Sequence, residues 1–427
     1  MAEPQTLDNN VNRREESQSD DKNYLTVTLP GPGGSSAADA ILELYEDVTK
    51  HPRLAKITKH LTSDTKEAAP GIRETHVILS VGSGHQKAAV FYDECVGPLL
   101  AALYANDYQK FHVHTTTSAT SVLELANGTL FTKANAGTAL RIIVLSGDGG
   151  IIDLVNGLSS HATSASYIAP QVVLIPLGTA NALYHSINPA EQNTWGLAAL
   201  ASSQSSPLPI FTASFSPGAR LLVDEARSEE ELATDPSSGR PILHGAVVCS
   251  WGMHASLVAD SDTAEYRKFG VERFKMAAKE ALYPADGSAP HAYKAKVSVL
   301  KGDEWTSLKE EEHMYVLATM VSNLEQPFCI SPHSRPLDGT MHLVHFGPTS
   351  GDEAMRLMGL AYQGGKHIDD PAIRYEAIDG LRIKFQGKEE QGQWRRICVD
   401  GKIVRVETDG WVELRKDARR VLDVVTV

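Results

Sequence analysis

The chain has 427 residues, 42% of them hydrophobic and 22% charged, with 40 Lys+Arg against 53 Asp+Glu and a formal net charge of −13. This apolar content excludes a chain disordered throughout, and the length leaves room for two or three domains with a sizeable core. The acidity argues against a nucleic-acid partner, because such affinity comes mainly from Lys and Arg meeting phosphates.

Residues 1–36 read as a disordered polar tail ending in the run PGPGGSS, which cannot bury enough surface to order itself. The first 22 residues lack a basic start and an apolar stretch, so no export signal is expected. No window approaches the roughly 18–20 apolar residues that cross a bilayer. The four cysteines, Cys95, Cys249, Cys329 and Cys398, are far apart and form no C-x-x-C pair. Reduced thiols in a cytoplasmic protein are the expectation.

Ala37 to Leu61 reads as a helix with Ile41, Leu42 and Leu44 on one side. From Thr75 the texture changes. HVILSV (76–81), FHVHTT (111–116), RIIVLS (141–146) and QVVLIP (171–176) are short apolar runs alternating with helical stretches. That pattern predicts a Rossmann-like parallel sheet covered by helices on both faces, over residues 37–207. Ligands of such sheets bind outside the carboxyl ends of the strands. Beyond about residue 207, β-rich runs such as HGAVVCSWG (244–252), HMYVLATMVS (313–322) and WVELR (411–415) follow one another through turns. They predict a mostly antiparallel second domain, 208–427. One helix is expected at 264–283, and the acidic, Ser-rich stretch 224–240 is expected to be a flexible insertion. The two polar stretches, 1–22 and 224–240, carry much of the negative charge.

Three glycine turns lie at predicted strand ends. SGDGGIIDLVNGL (146–158) places Asp148 between glycines, where a backbone can approach a ligand and a helix start offers N–H groups to phosphate. IPLGTANAL (175–183) adds Thr179 and Asn181 beside Gly178, and SVGSGHQKA (80–88) supplies Ser83 and Gly84. The last is not a Walker A loop, since G-x-x-x-x-G-K-[ST] is absent. Each turn alone is commonplace; three at one sheet edge point to a ligand site.

SGDGGIIDLVNGL followed by IPLGTANAL resembles the paired signature of the diacylglycerol kinase and sphingosine kinase catalytic family. SVGSGHQKAAVFYDECVGPLL is similar to its first nucleotide loop and helix, and WGMHASLVADSDTAEYRKFGVERF (251–274) to its sphingosine and ceramide kinase branch. GGKHIDDPAIRY and VDGKIVRV match its closing strands, so the likeness runs from about residue 72 to 415. The resemblance implies an α/β nucleotide domain like that of phosphofructokinases and NAD kinases, joined to a C-terminal β-sandwich that shelters a lipid. It implies ATP and Mg²⁺, a lipid substrate, and peripheral contact with a membrane. The oligomeric state is open, a homodimer among the options.

Residue by residue, the resemblance gives Asp148 the role of general base. It places Ser83, Gly84, Thr116 or Thr117, Ser146, Gly147, Gly149, Gly178, Thr179, Asn181, Arg267, Arg273, Asp400 and Gly401 around the nucleotide. Asp260, or Asp262 if the alignment shifts slightly, falls where the sphingosine branch grips the lipid's amino group; a carboxylate suits an ammonium. No metal ligands are assigned. The chain departs from the family at Ser80-Val81, usually Asn-Pro; at Asp153, usually Glu; and at Lys402, where Asp400-Gly401 is usually followed by an acid near the nucleotide and metal. The leading expectation is an ATP-dependent kinase of sphingoid long-chain bases. Alternatives are a diacylglycerol or ceramide kinase, a non-catalytic nucleotide- or lipid-binding member, and, more remotely, an NAD kinase.

Overall fold

A computed structural model describes residues 12–14, 24–30, 38–46, 52–59, 73–103, 111–188 and 194–427. The apolar runs form a six-stranded sheet in the order Phe111–Thr115, Glu74–Leu79, Leu140–Ser146, Gln171–Pro176, Asp423–Val425, Ser205–Pro207. All neighbours are parallel except the last pair. The central strands are buried on both faces, which explains why they read as unbroken apolar runs. Val77, Leu79, Ile143, Leu145, Val173 and Ile175 belong to a core with the 88–103 helices. Ile78, Ile142, Val144, Val172 and Leu174 pack on the opposite side, with Ile151, Ile152 and Val155 of the Asp148–Leu158 helix. Leu79 pairs with Leu145, and Leu145 with Ile175. This register makes the three glycine turns leave the sheet level with one another.

The second half is a sandwich of a six-stranded and an eight-stranded antiparallel sheet. Phe211, Phe215, Trp251, Val316, Ile383 and Phe385 fill the space between them. Trp251 meets Tyr293 and Phe385 edge-on and donates its indole N–H to the Trp394 carbonyl at 2.8 Å. Tyr315, Leu317, Val344 and Phe346 belong instead to the core that contains the Asp148–Leu158 helix. The two halves therefore share one buried apolar cluster. Among the described residues no helix is long and apolar enough to cross a membrane.

Several sequence expectations change. Ala37 to Leu61 is not helical where described: Ala38–Glu46 and Pro52–Lys59 are antiparallel strands, paired with Tyr24–Pro30 in a four-stranded sheet. Leu42 and Leu44 fit a period of two while Ile41 and Leu44 fit a helical one, and strand partners on either side decide between them. The presumed tail thus contains strands at Asn12–Arg14 and Tyr24–Pro30; its other residues lie outside those described. The acidic stretch 224–240 is built into a hairpin, Arg220–Val223 against Ser228–Glu231, with Glu229 paired to Arg405. The helix expected at 264–283 is two, Ala264–Arg267 and Glu272–Leu282, broken at Gly270 with φ +54°. Asp423–Val425, counted with the second domain, completes the first domain's sheet.

Candidate active site

The three turns stack backbone on backbone. A Cβ on Gly178 would lie 2.3 Å from the Gly147 Cα, one on Gly147 2.8 Å from the Gly178 Cα, and one on Gly84 2.4 Å from the Leu177 carbonyl oxygen. Only glycine allows this approach. Hydrogen bonds fix the stack: Gly147 N–H donates to Ser83 Oγ at 3.1 Å, and Leu177 N–H to the Ser146 carbonyl at 3.0 Å. Asn181, left-handed at φ +54°, closes its own loop by accepting from Gly178 N–H at 2.9 Å and donating to the Gly178 carbonyl at 3.1 Å. Ser83, Gly84, Ser146, Gly147, Gly178 and Asn181 are thus brought together. Thr179 is half-buried in the same loop, and Gly149 is exposed with open space around it.

Asp148 sits at the centre. Its carboxylate accepts Ala182 N–H at 2.8 Å and Leu183 N–H at 3.0 Å, the first two unpaired donors of the Ala182–Ile187 helix. The carboxyl lies above the usual aspartate range because burial disfavours its charge, and the backbone donors partly offset this. A carboxylate has about four lone-pair sites, so two N–H bonds leave capacity for a hydroxyl proton. The arrangement is a fixed, partly desolvated base beside a glycine-lined cradle.

Asp400, from the second half, lies close enough to Asp148 for the two charges to interact. It is buried and accepts Ala246 N–H at 2.6 Å, Val247 N–H at 3.1 Å and Val248 N–H. Burial raises its carboxyl to about 7 against the pull of these donors, and Asp148 adds to the rise. Gly401 follows it in an open turn. Asn156, two turns along the Asp148 helix, donates to the His244 carbonyl at 2.9 Å and accepts His244 N–H at 3.0 Å. It bonds the first half to the second.

The remaining expected residues divide. Thr116 bridges two strand ends, accepting Val81 N–H and donating to the Leu79 carbonyl, both at 3.2 Å. The departure at Val81 therefore supplies an N–H that proline would lack. Thr117 is exposed and accommodates Ser121 instead. Arg267 grips Asp262 through two bonds of 2.9 Å, and Arg273 approaches the same carboxylate at 3.4 Å. The intervening Gly270 lies against His85, so this segment covers the first glycine loop. Asp260 pairs with Arg396 at 2.7 Å. Arg396 and the 246–248 amides had no sequence signal of their own, because only the fold brings them to an acid distant in sequence.

Among the described residues no three His, Cys, Asp or Glu side chains could together hold a metal ion. The acids near the turns are already answered within the chain: Asp148 and Asp400 by backbone amides, Asp153 by Lys402 at 2.8 Å. These residues do not fit a resident Mg²⁺. Cys249 and Cys398 are buried and their thiols are pushed up by desolvation, Cys398 to about 12, which makes them unreactive.

Comparison with known proteins agrees with this geometry. A family model described as the diacylglycerol kinase catalytic domain matches residues 74–213. Sphingosine kinase 1 from Mus musculus is 24% identical over 294 residues, 62% of this chain and 72% of that protein. Sphingosine kinase 1 from Homo sapiens is 22% identical over 354 residues, 77% and 85% of the two chains. Two solved Bacillus anthracis str. Sterne proteins, provisionally described as diacylglycerol kinases, share the fold. One has a TM-score of 0.57 at 15% identity, covering 85% of this chain and 98% of its own. The other has a TM-score of 0.53 at 13% identity, covering 83% and 97%. With its turns, its half-buried aspartate and these likenesses, the chain has the features of a lipid kinase, similar to the diacylglycerol kinase catalytic domain over residues 74–213 and to the sphingosine kinases over a longer span.

Proposed function

We propose that the protein uses ATP to phosphorylate the primary hydroxyl of a sphingoid long-chain base. The observation that carries the reaction is Asp148, a carboxylate with a raised pKa fixed where three glycine turns meet. The lipid hydroxyl oxygen bonds to the γ-phosphorus, the bond from that phosphorus to the β,γ-bridging oxygen breaks, and the hydroxyl proton passes to Asp148. ADP leaves with the former bridging oxygen. Backbone N–H groups of the turns hold the phosphates, and the close stacking of Gly147 on Gly178 keeps their positions fixed.

The sphingoid assignment draws on the sphingosine kinase relatives and on Asp260, which is exposed and has one oxygen engaged by Arg396. Its second oxygen suits an ammonium. Phe269, 54% exposed, stands with Val271 and Met276 beside Lys268 and Lys275. Exposed apolar residues flanked by Lys268 and by Lys275, which pairs with Glu272, suit peripheral contact with an anionic lipid surface. A second reading, a neutral acceptor such as diacylglycerol or ceramide, is favoured by Asp262, whose two oxygens are both bonded to Arg267.

The test is a panel of sphingosine, ceramide and diacylglycerol in mixed micelles with ATP and Mg²⁺. Sphingosine should be phosphorylated, and Asp260→Ala should impair amine-bearing lipids selectively. Phosphate transfer to diacylglycerol alone moves the assignment to the second reading. ATP binding with transfer to none of the three defeats both.

A further inference from the structure

Lys402 stands two residues after Asp400, on the Lys402–Arg405 strand of the second half, and its ammonium lies 2.8 Å from Asp153 Oδ1. Asp153 belongs to the helix that begins with Asp148, and its side chain is 11% exposed. The ion pair therefore joins the two halves beside the site. At that distance Lys402 answers the buried carboxylate both as a charge and as a hydrogen-bond donor. Burial raises the Asp153 carboxyl and Lys402 pulls it back. Without the ammonium, a buried acid would be left unpaired near Asp148 and Asp400, a costly state that either a proton or a cation relieves.

We propose that Lys402 is a resident cation that occupies the place of a divalent ion at Asp153, so that the protein without nucleotide holds no metal there. Divalent ions prefer clusters of carboxylate oxygens, and Mg²⁺ typically rests on one or two carboxylates plus substrate phosphates. Here Lys402 has claimed Asp153, the acid that answers to a side chain where Asp148 and Asp400 answer to backbone amides. That the ion then arrives only with the triphosphate rests on the kinase reading; the exclusion of the ion from the free protein does not.

Mn²⁺ titrated into the purified full chain without nucleotide, followed by the paramagnetic resonance of the free ion, tests this. The unmodified protein should leave Mn²⁺ free, and its melting temperature should not respond to the ion. Lys402→Glu should bind one Mn²⁺ per chain, with affinity raised at least about tenfold. Adding Asp153→Ala should abolish that binding. If Lys402→Glu fails to fold, Lys402→Ala carries the test, and Mn²⁺ should raise its melting temperature. Stoichiometric Mn²⁺ binding by the unmodified protein that Asp153→Ala removes overturns the proposal. So does a folded Lys402 variant that gains no affinity. A protein that phosphorylates no lipid would leave all these titrations as expected, so the two readings fail separately.

Discussion

Asp148 is pulled in two directions: burial favours its neutral form, while two helix amides and its own backbone favour the carboxylate. A base must be ionised to accept a proton, so turnover falls as pH drops through its pKa. Because that pKa is raised, the acid limb of kcat/KM should lie above the value of about 4 for a free aspartate. Asp148→Asn should abolish turnover and leave the circular dichroism spectrum unchanged. Asp400, with a pKa of about 7, already holds its proton in acid, so Asp400→Asn should leave the acid limb where it is. Asp400 also has a stability signature. Its folded pKa is about 7, above its unfolded value. Its contribution is therefore present in acid and lost as pH rises through that value. The melting temperature of the unmodified protein should decline from about pH 4 to about pH 7 relative to Asp400→Asn. A parallel pair of profiles would show that Asp400 is ionised throughout. Glycines give a sharper contrast. Gly178→Ala drives a Cβ into the Gly147 backbone and should cost about 1–3 kcal/mol in urea unfolding. Gly149→Ala meets nothing within 4 Å and lies in a helix, where alanine is favoured by up to about 1 kcal/mol. It should keep or raise stability while weakening ATP binding, measured by calorimetry. Unchanged ATP affinity would place the phosphates elsewhere.

At the scale of elements, the strands and their glycine turns were legible because burial on both faces writes itself as an apolar run. Asp148, Gly147 and Gly178 could be read for the same reason: a turn that must accept close backbone leaves glycine in the sequence. The sheet of Ala38–Glu46 was not legible, since its apolar spacing fits two periods and its partners are other segments. The break at Gly270 was visible as a residue but not as a change of direction, because residues 272–282 are helical by pattern alone. The pairing of Asp153 with Lys402 joins residues 249 positions apart, which no local pattern encodes. Asn156 lies between these cases. Its place in the motif marks it, yet its task, bonding both backbone groups of His244, appears only once the halves meet. His244 is buried, so Asn156→Ala leaves its N–H and C=O without those partners. The variant should lose about 1–3 kcal/mol of stability by urea unfolding. A loss below about 0.5 kcal/mol would mean that water replaces the amide.

For the whole molecule, the decisive element is the last one. Asp423–Val425 leaves the sandwich and enters the first sheet between Gln171–Pro176 and Ser205–Pro207. Val421, Leu422, Val424 and Val425 are all buried, and Tyr167 donates its hydroxyl to the Val421 carbonyl at 2.6 Å. The chain thus returns to the half it started from. Asp148 of that half and Asp400 of the other are held in register by covalent connection as well as by the shared core. Truncation after Arg419 would remove four buried aliphatic side chains, each worth about 1.5–3 kcal/mol when buried, and uncover the surface they pack on. An extended reference chain makes that an upper figure. Even half of it approaches the roughly 5–15 kcal/mol that holds a domain folded. The truncated protein should therefore lose its cooperative thermal transition, or aggregate on expression, although every residue of the three glycine turns is still present. A truncated chain that melts within about 1 °C of the full one, a shift of about 1 kcal/mol for a chain this size, would show that the sandwich and the α/β half stand independently. In that case the return strand is an accessory of the sheet rather than the tie between the two halves.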